Sequence, residues 1–434
     1  MFQRFLFFIL LCSSLGSSAQ SFVQARNGQF FLDGQPYYYV GTNYWYGSLL
    51  GLQRDPARGI ERLRYELDFL QSQGVTNLRL LAGAEGSGMI NGVPRVGPPL
   101  QPQPGVFDEA VLKSLDLVLA EMGQRKMKAI LMLSNNWEWS GGFLQYLNWA
   151  GKLSDSVMRR KLTWEEFTQY GSNFYGCAPC VSAYHAQVDL LLNRTNVVTG
   201  KKYVDDPVLM AWELANEPRP MRLEEKEAYL AWARTTAAHI KKAAPQQLVC
   251  LGHEGTIGTQ IPELYELLHA DRNVDYLTIH IWPKNWAWFA ADSLEAGFPN
   301  VQAKTASYIN EHVLLARRLR KPLVIEEFGL PRDNGLFDTS ATTSWRDCYY
   351  EMLLAQWGQS RSNGGVLAGI NFWAFGGSAR PQPDRIFWKE GDPYMGDPPM
   401  EEQGLNTVFD CDSSTWTLIR RFTSKPRPAQ GKRH

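Results

Sequence analysis

Apolar side chains gather in eight short runs along this chain: PYYYVGT (36–42), VTNLRLL (75–81), MKAILMLS (127–134), PVLMAWEL (207–214), QLVCLG (247–252), VDYLTIH (274–280), PLVIEE (322–327) and LAGINFW (367–373). Runs of this length, continuous rather than alternating, read as strands buried on both faces, the pattern of a parallel sheet. Between them, residues 57–73, 107–124, 222–243, 303–320 and 342–358 carry apolar positions at helical spacing. Eight strands alternating with helices predict an α/β fold, a (β/α)8 TIM barrel. An open doubly wound sheet is the alternative, but no Gly-rich phosphate loop follows any run. Ahead of the first run, Phe22 to Tyr39 reads as an N-terminal β-hairpin of two short strands, with turns at Asn27-Gly28 and Asp33-Gly34.

No linker or internal repeat divides residues 20–424, which are expected to form a single domain. The longest insertions, 135–206 and 374–410, follow the third and eighth runs and so leave the carboxyl ends of strands, where barrel active sites are built. Arg4, the apolar stretch Phe5–Leu11 and the small residues ending at Ala19 read as a secretory signal over 1–19, cut after Ala19, which makes the mature protein secreted. Residues 425–434 read as a basic tail. Removal of the signal leaves Cys177, Cys180, Cys250, Cys348 and Cys411, an odd set in which Cys177 and Cys180 suit a small loop staple.

The chain has 434 residues, with 44 Lys and Arg balanced by 44 Asp and Glu. Zero net charge argues against partners that need a basic field, so neither nucleic acid nor a membrane surface is expected. No later stretch approaches the ~20 apolar residues of a membrane span. The outlying feature is aromatic, with 15 Trp, 18 Tyr and 21 Phe, which calls for large packing groups or for platforms that stack on flat ligand faces. If the platforms serve a site, the Trp should gather at one rim of the barrel.

Polar groups close most of the runs: Arg79, Asn135 and Asn136 with Trp137, Asn216 with Glu217, His253 with Glu254, His280 with Trp282, Glu326 with Glu327, and Trp373. Charges converging on a barrel mouth must satisfy one another or serve chemistry. With no cofactor loop and no residues at metal-ligand spacing, two carboxylates on facing strands are most simply the pair of a glycoside hydrolase. Alternation sets Glu213 and Glu217 on one face of the fourth strand, with Glu217 at the rim and Glu213 deeper, paired with a neighbour such as Arg79. Asn216 then reaches the same site only if the strand end bends. In the seventh strand, Glu327 enters the mouth if Leu323 and Ile325 line the barrel, leaving Glu326 against the helix layer. Glu254 stays open as a further carboxylate.

The blocks GTNYW (41–45), NLRLL (77–81), SNNWEWSGG (134–142), NRTNVVTGKKYVDDPVLMAWELANEPRP (193–220), IHIWPKNW (279–286), VIEEFGL (324–330) and INFWAFGG (370–377) resemble glycoside hydrolase family 5, in its endo-β-1,4-mannanase branch. The resemblance spans nearly the whole chain after the signal. It implies an endo-acting hydrolase of mannan, glucomannan or galactomannan that retains configuration, with Glu217 as acid/base, Glu327 as nucleophile and no metal or cofactor. It further implies substrate-site roles for Arg79 beside the nucleophile, Asn216 at the sugar 2-hydroxyl, His280 as a nearby donor, Trp373 as a platform, and Arg219 on the leaving-group side. Trp137 and Trp45 are expected as flanking platforms. Trp282 stands where many relatives have Tyr, and its indole can donate a hydrogen bond but not accept one. The alternatives are a β-1,4-glucanase or a mannan transglycosylase on the same barrel, or a binding protein that has lost catalysis. The enzyme is expected to act as a monomer, with the charge of Glu327 raising the pKa of Glu217.

Overall fold

Eight strands in which every residue is buried form one parallel sheet: Tyr39–Asn43, Asn77–Leu81, Lys128–Met132, Leu209–Glu213, Leu248–Cys250, Leu277–Ile281, Leu323–Phe328 and Leu367–Phe372. The computed structural model describes residues 21–290 and 293–424; the segment read as a signal (1–19) and the basic tail (425–434) lie outside them. Numbered as barrel strands in chain order, their lateral order is 5-4-3-2-1-8-7-6. The seam between the fifth and sixth has no regular ladder and is carried by Asp275 N–H to Val249 O (2.8 Å) and His280 N–H to Glu254 O (3.0 Å). This is the expected TIM barrel. Four of the five expected helices match within five residues at each end, as Pro56–Ser72, Glu109–Gln124, Lys226–Ala243 and Ser344–Asn363. The fifth begins much earlier, as Leu294–Leu319.

The amino-terminal hairpin has three strands rather than two: Gln24–Arg26, Gln29–Leu32 and Gln35–Pro36. Asn27-Gly28 and Asp33-Gly34 all take positive φ (50°, 82°, 54° and 74°), the two-residue turn that suits the strand twist. The unit stoppers the barrel floor, where Val23 and Phe30 pack with Tyr39, Ile130, Met210, Tyr276, Val324 and Ala368.

The insertion after the third strand, read from sequence only as a long loop, carries helices Gly142–Trp149, Asp155–Arg159, Trp164–Ser172 and Ala178–Asn193. A Cys177–Cys180 disulfide stands at the start of the last, the loop staple the spacing suggested. After the eighth strand, the insertion folds back through a Phe375–Gly377 and Val408–Phe409 pair. Buried Arg332 and Arg346 both grip Asp412, tying that return to the helix layer, and helix Ser413–Thr423 follows.

Candidate active site

Arg79 leaves the second strand with its guanidinium sealed from solvent and all its donor atoms engaged. Nε and Nη2 form a fork on Glu213 at 2.7 and 2.5 Å, Nη2 also reaches Asn216 Oδ1 at 2.8 Å, and Nη1 reaches Asn43 Oδ1 at 3.0 Å. Nη1 also donates to Glu327 Oε1. A buried guanidinium in this geometry fixes every carboxylate it touches, because leaving any of them unpaired would cost several kcal/mol. The expected pairing of Glu213 with Arg79 is therefore what the structure contains.

Two departures from regular strand geometry bring the second carboxylate opposite the first. The fourth strand ends at Glu213, and Glu217 sits in the left-handed region at φ 47°, with its N–H bonded to Gly252 O at 2.9 Å. That turn lets Asn216 face Arg79 while Glu217 also points inward, the bend required for both to share a site. On the seventh strand, Ile325 pairs with Ile279 and Glu327 with His280, so Glu326 is the extra residue of a bulge. Val324, not Leu323 or Ile325, packs into the barrel floor. Alternation from Val324 turns Glu326 inward and the bulge turns Glu327 inward as well, which corrects the expected placing of Glu326 against the helices. Glu326 is fully buried, 3.9 Å from Arg79 Nε and 3.9 Å from His280 Nε2, and its oxygens have no hydrogen-bond partner among the described residues.

His280 stands between the paired carboxylates. Its Nδ1 lies 2.7 Å from Glu217 Oε1 and 3.3 Å from Glu327 Oε2, and one oxygen of each glutamate lies within 4.8 Å of the other. Burial works against a charged imidazole, but the charge of Glu327 and the bonds to the surrounding glutamates outweigh it and raise the His280 pKa well above the usual value. Burial likewise pushes Glu217 up. The His280 bond and charge, Arg219 and the Trp137 N–H then pull it down to about 2. The expected rise of Glu217 under the charge of Glu327 is thus reversed, because an imidazolium stands between them. Glu217, His280 and Glu327 could offer three atoms to a metal, as could Glu213, Cys250 and Glu326. In both sets Arg79 or His280 already answers the negative charge.

The aromatic residues divide unevenly. Trp137 donates its N–H to Glu217 Oε2 at 2.6 Å, and Arg219 lies over its ring, locked by bonds of 2.6 and 2.8 Å to Glu254. Glu254 is thereby accounted for as the anchor of Arg219. Trp373 meets Trp282 edge to face at 6.1 Å; Trp282 is half-buried and has no bond to Glu327. Trp45 is fully buried, its N–H bonded to Gly396 O at 2.7 Å and its ring packed on Trp139 and Tyr394, so it supports the loop after the eighth strand and is no platform. Trp45, Trp137, Trp139, Trp149, Trp164, Trp282, Trp286, Trp288, Trp373 and Trp388 lie at strand ends or in the insertions leaving them, so the expected rim cluster is present. Sequence reasoning passed over Asn43, which closes the first strand as the other polar ends close theirs. It also passed over Glu401, whose carboxyl is pushed up by burial and by the charges of Asp397 and Glu327, and over Trp164; neither lies near a strand end.

Two buried carboxylates facing each other in a β/α barrel mouth, bridged by an imidazole and backed by a guanidinium, define a glycosidase-type site. The chain belongs to glycoside hydrolase family 5: the description "GH family 5 beta-mannosidase-like" matches residues 20–430. It is 31% identical over 370 residues to mannan endo-1,4-beta-mannosidase 1 of Oryza sativa subsp. japonica, covering 81% of this chain and 78% of that protein. A glycoside hydrolase family 5 mannosidase from Rhizomucor miehei superposes with a TM-score of 0.82 at 33% identity, over 93% of this chain and 97% of that one. The endo-1,4-beta-D-mannanase from Thermotoga petrophila shares the fold, with a TM-score of 0.65 at 23% identity over 89% and 99%.

Proposed function

We propose that this protein is a secreted, endo-acting β-1,4-mannanase that retains anomeric configuration. The observation that carries the reading is that a carboxylate oxygen of Glu217 and one of Glu327 lie no more than 4.8 Å apart, short of the roughly 6.5–9.5 Å of inverting glycosidases. Glu327, oriented by Arg79 and His280, attacks the anomeric carbon as the glycosidic C–O bond breaks. The departing oxygen takes its proton from Glu217, which receives it beforehand from His280 Nδ1 at 2.7 Å and is left as a carboxylate. A water then attacks the same carbon, its proton returns to Glu217, and the bond to Glu327 breaks. Asn216 and Trp373 line the sugar being cleaved, with Arg219 on the leaving-group side. The plant relatives named mannan endo-1,4-beta-mannosidases support mannan as substrate.

A second reading has a specific observation behind it. The solved structures superposing at TM-score 0.82 are named mannosidases, one in complex with mannosyl-fructose, whereas those named endo-mannanases reach 0.65. The bare name mannosidase leaves cleavage at chain ends open. Digestion of mannohexaose and galactomannan in isotopically labelled water separates the two. Endo action gives mixed oligomers and a rapid fall in viscosity; release of mannose alone means an exo enzyme, and activity confined to carboxymethylcellulose would overturn both. Glu217→Gln and Glu327→Gln should each lower kcat about 10²-fold or more with the fold kept, and near-normal turnover in either would remove its role.

A further inference from the structure

One large aromatic side chain on the site's flank stands in water. Trp164 is 58% exposed and begins helix Trp164–Ser172, whose start is fixed by a complete capping box: Glu166 N–H donates to Thr163 Oγ1 at 3.2 Å and Thr163 N–H to Glu166 Oε2 at 2.9 Å. The ring lies nearly parallel to Phe167, with centroids 5.9 Å apart and planes 13° apart, and 6.3 Å from the ring of Trp137. Trp137 is the residue whose N–H reaches Glu217 Oε2. The Arg219 guanidinium spans the pair, 4.9 Å from the Trp137 ring and 6.0 Å from the Trp164 ring. Its Nε and Nη2 are committed to Glu254, which leaves Nη1 without a partner among the described residues. A continuous strip therefore runs outward from Glu217: a buried indole N–H, a half-buried ring, a ring in solvent, and a fixed cation with a donor to spare.

We propose that Trp164 extends the leaving-group side, where the family resemblance already places Arg219, as a stacking platform that holds a hexopyranose of the substrate beyond the residue bonded to the scissile oxygen. The proposal rests on the reading of Glu217 as the acid, since that choice decides which flank receives the leaving group. A pyranose offers a flat C–H face to the indole and hydroxyls to Nη1, and the anchoring by Glu254 and by the capping box means that neither partner must be ordered on binding. An exposed Trp kept only to cover Phe167 would predict a different outcome: its loss would weaken the fold and lower activity on every substrate alike.

The test compares kcat/KM for mannopentaose, whose leaving group extends past one sugar, with kcat/KM for nitrophenyl β-mannoside, whose leaving group is a single ring. Trp164→Ala should lower the pentaose-to-aryl ratio roughly three- to tenfold, the worth of one stacking contact. Trp164→Phe should restore part of it. Trp164→Leu, which keeps apolar cover over Phe167 but presents no flat face, should show the low ratio in a fully folded protein and carries the test if the alanine variant misfolds. A ratio equal to wild type in a folded Leu or Ala variant overturns the subsite. Wild-type protein that cleaves neither substrate overturns instead the functional reading on which it rests.

Discussion

Arg79→Lys is the most informative single change, because it keeps a positive charge in the barrel and removes only the fork. Arg79 makes five hydrogen bonds from three nitrogens, on Glu213 (two), Asn216, Asn43 and Glu327. A lysine has three donors on one atom and cannot reproduce the bidentate grip. At least two bonds to buried acceptors are lost, each worth about 1.5–3 kcal/mol when one partner is charged, so the expected loss is about 3–6 kcal/mol. Against a total stability of about 5–15 kcal/mol, that is a large fraction. Urea unfolding, followed by both tryptophan fluorescence and far-ultraviolet circular dichroism, measures it. Adding Glu213→Gln should recover part of the loss, since it removes the carboxylate left without its fork, and the two changes should be non-additive by about 0.5–3 kcal/mol. A variant that unfolds within about 1 kcal/mol of wild type, additive with Glu213→Gln, would refute the account of Arg79 as the group that holds the carboxylates in place.

Further outcomes follow from the same geometry. With His280 raised well above its usual value and Glu217 held at about 2, the pair keeps one proton across the acid and neutral range and loses it only as pH rises through the upper pKa. The basic limb of kcat/KM should therefore lie above about pH 6.5, and His280→Gln should lower kcat/KM and move that limb toward the ordinary carboxylate range. A wild-type limb near pH 4.5 would show that His280 carries no part of the proton. The Cys177–Cys180 bond closes a loop of sequence separation 3, so replacing both by Ser should cost only about 2 kcal/mol by loop entropy, measured as a small drop in urea midpoint with activity kept.

The barrel was legible because parallel strands buried on both faces must be apolar throughout, and nothing else in the chain imitates eight such runs with helices between them. The helices of the 135–206 insertion were not. At five to nine residues, three of the four are too short to display a period, and their starts rely on caps such as Thr163 and Ser154, which in sequence look like any loop serine or threonine. Trp45 shows a different limit. Its position at a strand end was readable, but its burial depends on a loop that returns more than 300 residues later to place Gly396 O against its N–H.

The two glutamates of the seventh strand show how a right assignment can rest on an incomplete premise. Alternation selected Glu327 on the assumption that Leu323 and Ile325 line the barrel, whereas Val324 does. What brings Glu327 inward is the bulge at Glu326, and a bulge leaves no mark on a pattern of apolar and polar residues. Its consequence is chemical. Without it, one glutamate of the pair would face the helices; with it, Glu326 stands within 3.9 Å of both Arg79 and His280 while Glu327 meets Glu217. Glu217 depends on an equivalent exception, its positive φ, which carries the chain past the end of a strand whose own parity would have separated it from Asn216. Both carboxylates thus occupy points where regular strand geometry breaks. A regular strand sends successive side chains to opposite faces, and so cannot aim two neighbours into one pocket.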